Sequence, residues 1–347
     1  MYTLGDELVY KILTKTSSVK ELSAWKSVSK HWNALLQEPL FAEEHAKREG
    51  EHLLFLYDGF PNDISVYWKE NFLLSSTHTF QSLSPTSTYQ IHSSFDGLVC
   101  IAETRIGPEM YLIVLWNPAT NKLRVCPPPT LQRPPMLELG FCKAKISHKV
   151  VRVTMNPDKE SIDAEFFHSK TNRWTTQFDV FSPELRVSFS DSPAVCCWDG
   201  SINWALTKCV KGDRVCIIVT CHMEEESFSL STAPEICQLL DTVLLGSSSS
   251  NLVLLYLRDG EVVIWTKKSL GDLWSTKKTV RLSPSFDPTP LWVENLLLIK
   301  GYPYVQDFSL ISMSEPYEEA SIDITLRKHE ISRVLSHKES LISPFDI

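Results

Sequence analysis

At residue 50 the spacing of apolar residues changes, and that change constrains the chain more than any other feature. Before Gly50 they recur at three- and four-residue intervals. After it they crowd into short runs between turn residues: HLLFLYD, GLVCIAE, YLIVLWN, KVVRVTM, AEFFHS, RVCIIVTC, LVLLYLRDG, EVVIWTKK. The first spacing is that of amphipathic helices, the second that of strands. A chain of 347 residues thus reads as a helical head, 1–50, and a large all-β body, 51–347.

Within the head, Leu4, Leu8, Ile12 and Leu13 fall on one helical stripe, with Asp6 and Glu7 in the first turn, where carboxylates favour the positive helix end. Ser18-Val-Lys-Glu21 has the form of a capping box and predicts a second helix carrying Leu22, Trp25 and Val28. Ser29 is placed to cap a third, on which Val28, Trp32, Leu35 and Leu36 form a stripe that ends before Pro39. Residues 41–49 read as a further helical stretch, ended by Gly50. Helices this short make a poor core alone. Their surplus apolar surface needs either the rest of the chain or another protein.

In the body, Asp96-Gly97, Asp199-Gly200 and Asp259-Gly260 each precede an apolar strand run. Asp-Gly favours a type I′ hairpin, whose central residues take positive φ. A second theme of strand, polar turn and apolar or aromatic strand appears in VLWNPATNKLRV, EFFHSKTNRWTTQF and VIWTKKSLGDLW. Such repeats favour a propeller, sandwich or barrel. The body's length favours an irregular β-propeller of about six four-stranded blades, at ~40–50 residues each. APEICQLLDTV, residues 233–243, is ambiguous between helix and strand. Most tryptophans (Trp116, Trp174, Trp198, Trp204, Trp265, Trp274, Trp292) fall on strand patterns and read as blade core.

Charge and motifs narrow the function. A net charge of −8 without a Lys/Arg-rich run argues against nucleic acid. No apolar run approaches the ~20 residues that span a bilayer, which argues against a membrane protein. Nine cysteines without regular spacing, and no N-x-[ST] sequon, point to a reduced intracellular protein, cytoplasmic and/or nuclear. No nucleophile-elbow, zinc-protease or phosphate-loop motif occurs. Ser147-His148 and Ser336-His337 are sequence neighbours, which is not triad geometry. Cys216, Cys221 and His222 lack a second ligand pair, and Glu224-Glu225-Glu226 reads as a solvated turn. The expectation is no catalysis, no metal and no cofactor. Tyr302 and Tyr304 flank a proline after Gly301 and are candidate substrate contacts on a loop.

The head resembles the F-box motif: LGDELVYKIL, then VSKHW, then LLQEPLF, with matches at Leu4, Asp6, Leu8, Ile12, Leu13, Val28, Ser29, Lys30, Trp32, Leu35, Pro39 and Phe41. Gly5 stands where the motif usually has proline, and Lys15-Thr16-Ser17-Ser18 where Leu-Pro is common. SSFDGLVCI, LWNPATNKLRVCPPP and WDGSINWAL resemble the Kelch-like F-box-associated domain of plant F-box proteins. The resemblance implies an α+β multidomain chain, a three-helix F-box followed by a β-propeller. It implies a non-catalytic substrate receptor of an SCF-type ubiquitin ligase. Leu4, Gly5, Leu8, Ile12, Leu13, Val28, Lys30 and Trp32 would form or support the surface for a Skp-type adaptor, and through it a cullin scaffold. The body would recruit a protein target. Alternatives are a glycan-binding F-box receptor, an F-box scaffold outside the ligase and, least favoured, a propeller hydrolase.

Overall fold

Among the residues described by the computed structural model, four helices precede the first strand: α1 (Asp6–Lys15), α2 (Val19–Trp25), α3 (Lys30–Gln37) and α4 (Pro39–Arg48). The described residues are 5–16, 19–48, 52–57, 63–68, 74–80, 87–105, 111–131, 139–145, 147–156, 161–181, 187–188, 195–210, 213–234, 242–248, 251–258, 261–269, 271–281, 286–293, 296–301, 308–312, 319–322, 331–337 and 339–345. Leu4, Ser18, the Asp259-Gly260 turn, Tyr302 and Tyr304 lie outside them, as does most of 233–243.

Local chemistry sets the helix ends. Gly5 precedes α1 in an extended conformation, φ −62° and ψ 148°, and its carbonyl accepts from the Leu8 and Val9 amides. Ser29 caps α3 as its residue type predicts, its hydroxyl accepting from the Trp32 amide at 3.0 Å. Glu38 is extended, φ −67° and ψ 127°, as a residue before proline prefers. Pro39 then opens α4, where a missing N–H leaves no helical bond unmade. One proline both stops α3 and starts α4, so the head has four helices where the F-box likeness implied three.

Among the described residues six antiparallel sheets follow. The first joins β1 (His52–Tyr57), β2 (Asp63–Trp68) and β3 (Leu74–Thr79) to a strand from late in the chain, and the second is β4 (Ser87–Phe95), β5 (Leu98–Arg105), β6 (Tyr111–Asn117) and β7 (Lys122–Val125). The third is β8 (Gly140–Lys143), β9 (His148–Asn156), β10 (Ser161–His168) and β11 (Arg173–Phe181). The fourth holds β12 (Val187–Ser188), β13 (Val195–Trp198), β14 (Ser201–Val210), β15 (Asp213–His222) and β16 (Ser227–Thr232). The fifth is β17 (Thr242–Ser248), β18 (Asn251–Arg258), β19 (Glu261–Lys267) and β20 (Ser275–Arg281). The sixth is β21 (Phe286–Val293), β22 (Leu296–Gly301), β23 (Phe308–Ser312) and β24 (Glu319–Ile322). The late strand of the first sheet is β25 (Ile331–His337), antiparallel to β1 from His52↔His337.

Four of the six sheets are uninterrupted four-strand meanders. The other two depart from that pattern, the first by its returning strand β25 and the fourth by the extra pairing of β13 on β14. The sequence points to an irregular propeller of about six four-stranded blades; among the described residues four sheets have the regular four-stranded form, fewer than that expectation.

Turn chemistry fixes the hairpins. Asp96 and Gly97 have φ of 50° and 76°, and Asp199 and Gly200 have 49° and 67°, the paired positive values of a type I′ turn. The polar turns before β7, β11 and β16 end on Asn121, Asn172 and Glu226 at φ of 51–55°. Central strands are buried on both faces: β10 is buried from Ser161 to Phe167, whereas the outer β11 is exposed or half-buried at every residue but Phe181. Trp116, Trp204, Phe141, Phe166 and Phe167 are fully buried, each worth about 1.5–3 kcal/mol as apolar burial.

Polar groups pin the segments between sheets. Arg152 and Glu165, an ion pair at 2.9 Å with both side chains buried, hold the backbone of Leu131 from both sides. The Arg152 guanidinium donates to its carbonyl, and the Glu165 carboxylate accepts from its N–H. The triple-glutamate turn is not merely solvated. Glu226 pairs with Lys149 at 2.8 Å and lies 3.3 Å from His168, and Glu224 accepts from the Lys145 amide. The chain divides into two compact units, residues 1–128 with 331–347 and residues 129–330. The helices thus share a unit with the first two sheets.

Candidate functional site

The helical head sorts its apolar residues into two sets. Val9, Leu13, Val19, Leu22, Leu36, Phe41 and Ala42 are buried in one cluster, with Tyr10, Trp25, Trp32 and Leu35 packed against it. Leu8, Ile12, Val28 and Leu40 are instead exposed by 48%, 38%, 60% and 75%. On α1 the division follows from helix geometry. Val9 and Leu13 are four residues apart and face inward; Leu8 and Ile12, also four apart, line the neighbouring stripe.

Aromatic contacts hold the inward set together. Tyr10 meets Phe41 edge-on at 5.4 Å between centroids, and its hydroxyl donates to Glu44 at 2.8 Å. Phe41 stacks on His45, whose Nε2 donates to the Thr16 carbonyl at 2.6 Å. Trp25 and Trp32 meet at 5.7 Å with their planes at 63°. Each such pair contributes about 0.5–1.5 kcal/mol beyond burial. This lets four short helices hold their shape while leaving large apolar residues in solvent.

The residues singled out in the sequence divide accordingly. Leu8, Ile12, Val28 and Lys30 are presented to solvent; Leu13 is fully buried and supports them from beneath; Trp32 is half-buried against Trp25. Gly5 sits at the exposed entrance to α1. The stripe read from Val28 through Leu36 is not uniformly buried. Val28 lies in the turn after α2, outside α3, and only Leu36 is enclosed. Two features escaped the sequence reading. Leu40 was hidden by its place beside Pro39. Leu341 and Ile342, which complete the head core, come from so far along the chain that no local pattern points to them.

Among the described residues, no group of three His, Cys, Asp or Glu side chains is placed to hold a metal. Cys221 is buried, and that burial raises its thiol pKa well above the ordinary value, so it is a poor nucleophile. His148 is buried and stacked on Phe141. Trp116, Trp198 and Trp204 are buried core residues as expected, whereas Trp174, Trp265 and Trp274 are half-buried.

A family model described as the F-box associated beta propeller domain matches residues 62–299. Three proteins of Arabidopsis thaliana are similar over most of the chain. The putative F-box/kelch-repeat protein At1g12870 is 26% identical, covering 81% of this chain and 72% of its own length. The F-box/kelch-repeat protein At3g23880 is 21% identical, covering 86% and 85%. The F-box protein At5g10340 is 26% identical, covering 97% and 84%.

Proposed function

Because the chain belongs to the F-box-associated β-propeller family, we propose that it is the substrate-receptor subunit of an SCF-type ubiquitin ligase. Its head docks on a Skp-type adaptor, and its propeller captures a protein target. The observation that carries this reading is the apolar surface of the head. Leu8 and Ile12 stand out side by side on a helix whose other stripe already fills a complete core. Burying them against a partner would release about 25 cal/mol for each Å² of apolar area removed from water.

In this reading the chain makes no bond itself. It raises the local concentration of its target beside the transfer machinery, and proximity supplies the rate. Cys100, Cys126, Cys142, Cys197, Cys216 and Cys221 are free thiols, in keeping with action inside the cell. Gly5, where the motif usually has proline, has a φ of −62°, within the range of proline, so the backbone entering α1 keeps the conformation a proline would give it.

The test is co-purification of the full chain with a Skp-type adaptor, wild type beside Leu8→Asp. Capture of the adaptor by wild type and its loss in the variant supports the reading, given matching circular dichroism. A folded wild type that fails to capture the adaptor moves the chain to a scaffold role outside the ligase.

A further inference from the structure

The segment after β25 does not trail away from the fold. It runs between the helical head and the second sheet, and polar contacts fasten it to that sheet. Asn117, fully buried at the end of β6, donates through its amide nitrogen to the carbonyls of Ser340 at 2.8 Å and Ile342 at 2.7 Å. Ser340 donates through its hydroxyl to the Asp96 carbonyl at 2.6 Å and accepts from the Ile342 amide. Arg124 on β7 donates to the Pro344 carbonyl at 3.1 Å. Between these fastenings Leu341 turns the other way, into the core formed by Val9, Leu13, Leu22 and Phe41, with Ile342 packed beside it.

The turn residues on the sheet are matched to this segment. Gly97 adopts φ +76°, and a Cβ there would fall 2.6 Å from the Ser340 Cβ, 2.8 Å from its backbone nitrogen and against its hydroxyl. Glycine is needed at this position twice over, for the type I′ turn and for the close approach of residue 340. Asn117 also serves two ends. Its side-chain oxygen accepts from the Thr120 amide in the turn, while its nitrogen holds the late segment.

We propose that residues 339–345 are a strut that fixes the orientation of the helical head on the 87–125 sheet, with Asn117, Gly97 and Ser340 as its positioning residues. One side of the strut is bonded to the sheet and the other is part of the head's own core, so the two cannot swing independently. The consequence for ubiquitin transfer rests on the ligase reading above. A captured target held at a fixed angle spends more of its time near the transfer machinery than one on a loose tether. The strut itself does not depend on that reading.

The experiment measures the head-to-sheet distance in the full chain by pulsed electron paramagnetic resonance. Labels go on exposed Lys20 of α2 and exposed Lys122 of β7, carried by a non-canonical amino acid so that native cysteines stay untouched. Asn117→Asp is the informative variant. It keeps an oxygen for Thr120, loses both donations and sets a carboxylate against the two carbonyls. Wild type should give one narrow distance, and Asn117→Asp should lose it to a broad distribution. Ser340→Ala, a milder change, should broaden it less and serves if the first variant does not fold. An unchanged narrow distance in the folded variants overturns the strut. Adaptor affinity, read in parallel, should stay within about threefold because the fastenings lie away from Leu8 and Ile12. Failure of wild type to bind adaptor would count against the ligase reading and leave the distance result to decide the strut.

Discussion

Replacing Gly5 with proline should stabilise the head. The backbone there has φ −62° and ψ 148°, within the narrow range to which a proline ring holds φ. A Cβ built on Gly5 meets nothing within 4 Å. The two bonds that start α1 come to its carbonyl, which proline retains. The folded state therefore changes little, while the unfolded chain loses freedom at a glycine, its most flexible residue type. Substitutions of this kind contribute about 0.4–1 kcal/mol through the unfolded state. Read locally, that is about a two- to fivefold rise in hydrogen-exchange protection of the α1 amides, since a tenfold change is about 1.4 kcal/mol. Exchange monitored by mass spectrometry over residues 6–15 measures it. Slower exchange in Gly5→Pro is the expected result. Faster exchange would refute the argument, because it would mean that the Gly5 N–H, or an angle forbidden to proline, is needed to start the helix.

Glu165→Gln should destabilise the body by about 3–5 kcal/mol, because it leaves the Arg152 guanidinium buried beside a neutral amide. A urea midpoint shifted down with unchanged slope checks this, and an unmoved midpoint contradicts it. Cys126 is buried, and burial pushes its thiol from the ordinary 9.0 up to about 12. Between those values the unfolded chain releases a proton that the folded chain keeps, so stability should fall as pH rises from about 9 toward 12. Denaturant midpoints of wild type and Cys126→Ser across that range measure the effect, and equal slopes against pH would contradict it. Native iodoacetamide labelling at Cys126 should also be slow beside that of an unfolded control.

What the sequence made legible was local. The Ser29 cap, the two described Asp-Gly turns and the stop before Pro39 each depend on one or two residues acting on their own backbone, and each was readable from residue type. Burial was readable where a strand lies between two others, as for YLIVLWN, whose unbroken apolar run announces a strand covered on both faces. It was less readable on α1. Leu8, Val9, Ile12 and Leu13 are all apolar, and only the positions of the other helices decide which pair faces inward. The role of Glu226 was misjudged for the same reason: its partners Lys149 and His168 lie on β9 and at the end of β10, and no spacing rule joins them. The late segment is the extreme case. Asn117 is separated from Ser340 and Ile342 by most of the body, yet the fold sets its side chain against both of their carbonyls. The aromatic loop candidates Tyr302 and Tyr304 lie outside the described residues.

In the proposed receptor the exposed apolar residues of the head belong to a partner and not to the fold. Isothermal titration of a Skp-type adaptor into the purified full chain tests it, with Leu8→Ala/Ile12→Ala/Val28→Ala beside wild type. The variant should unfold like wild type, each site changing stability by no more than about 0.5 kcal/mol. Its binding should be weaker: about 1 kcal/mol or more per buried side chain lost, on the order of a hundredfold or more in Kd for the three together. Equal affinities for wild type and variant, or a variant that no longer folds, would contradict it.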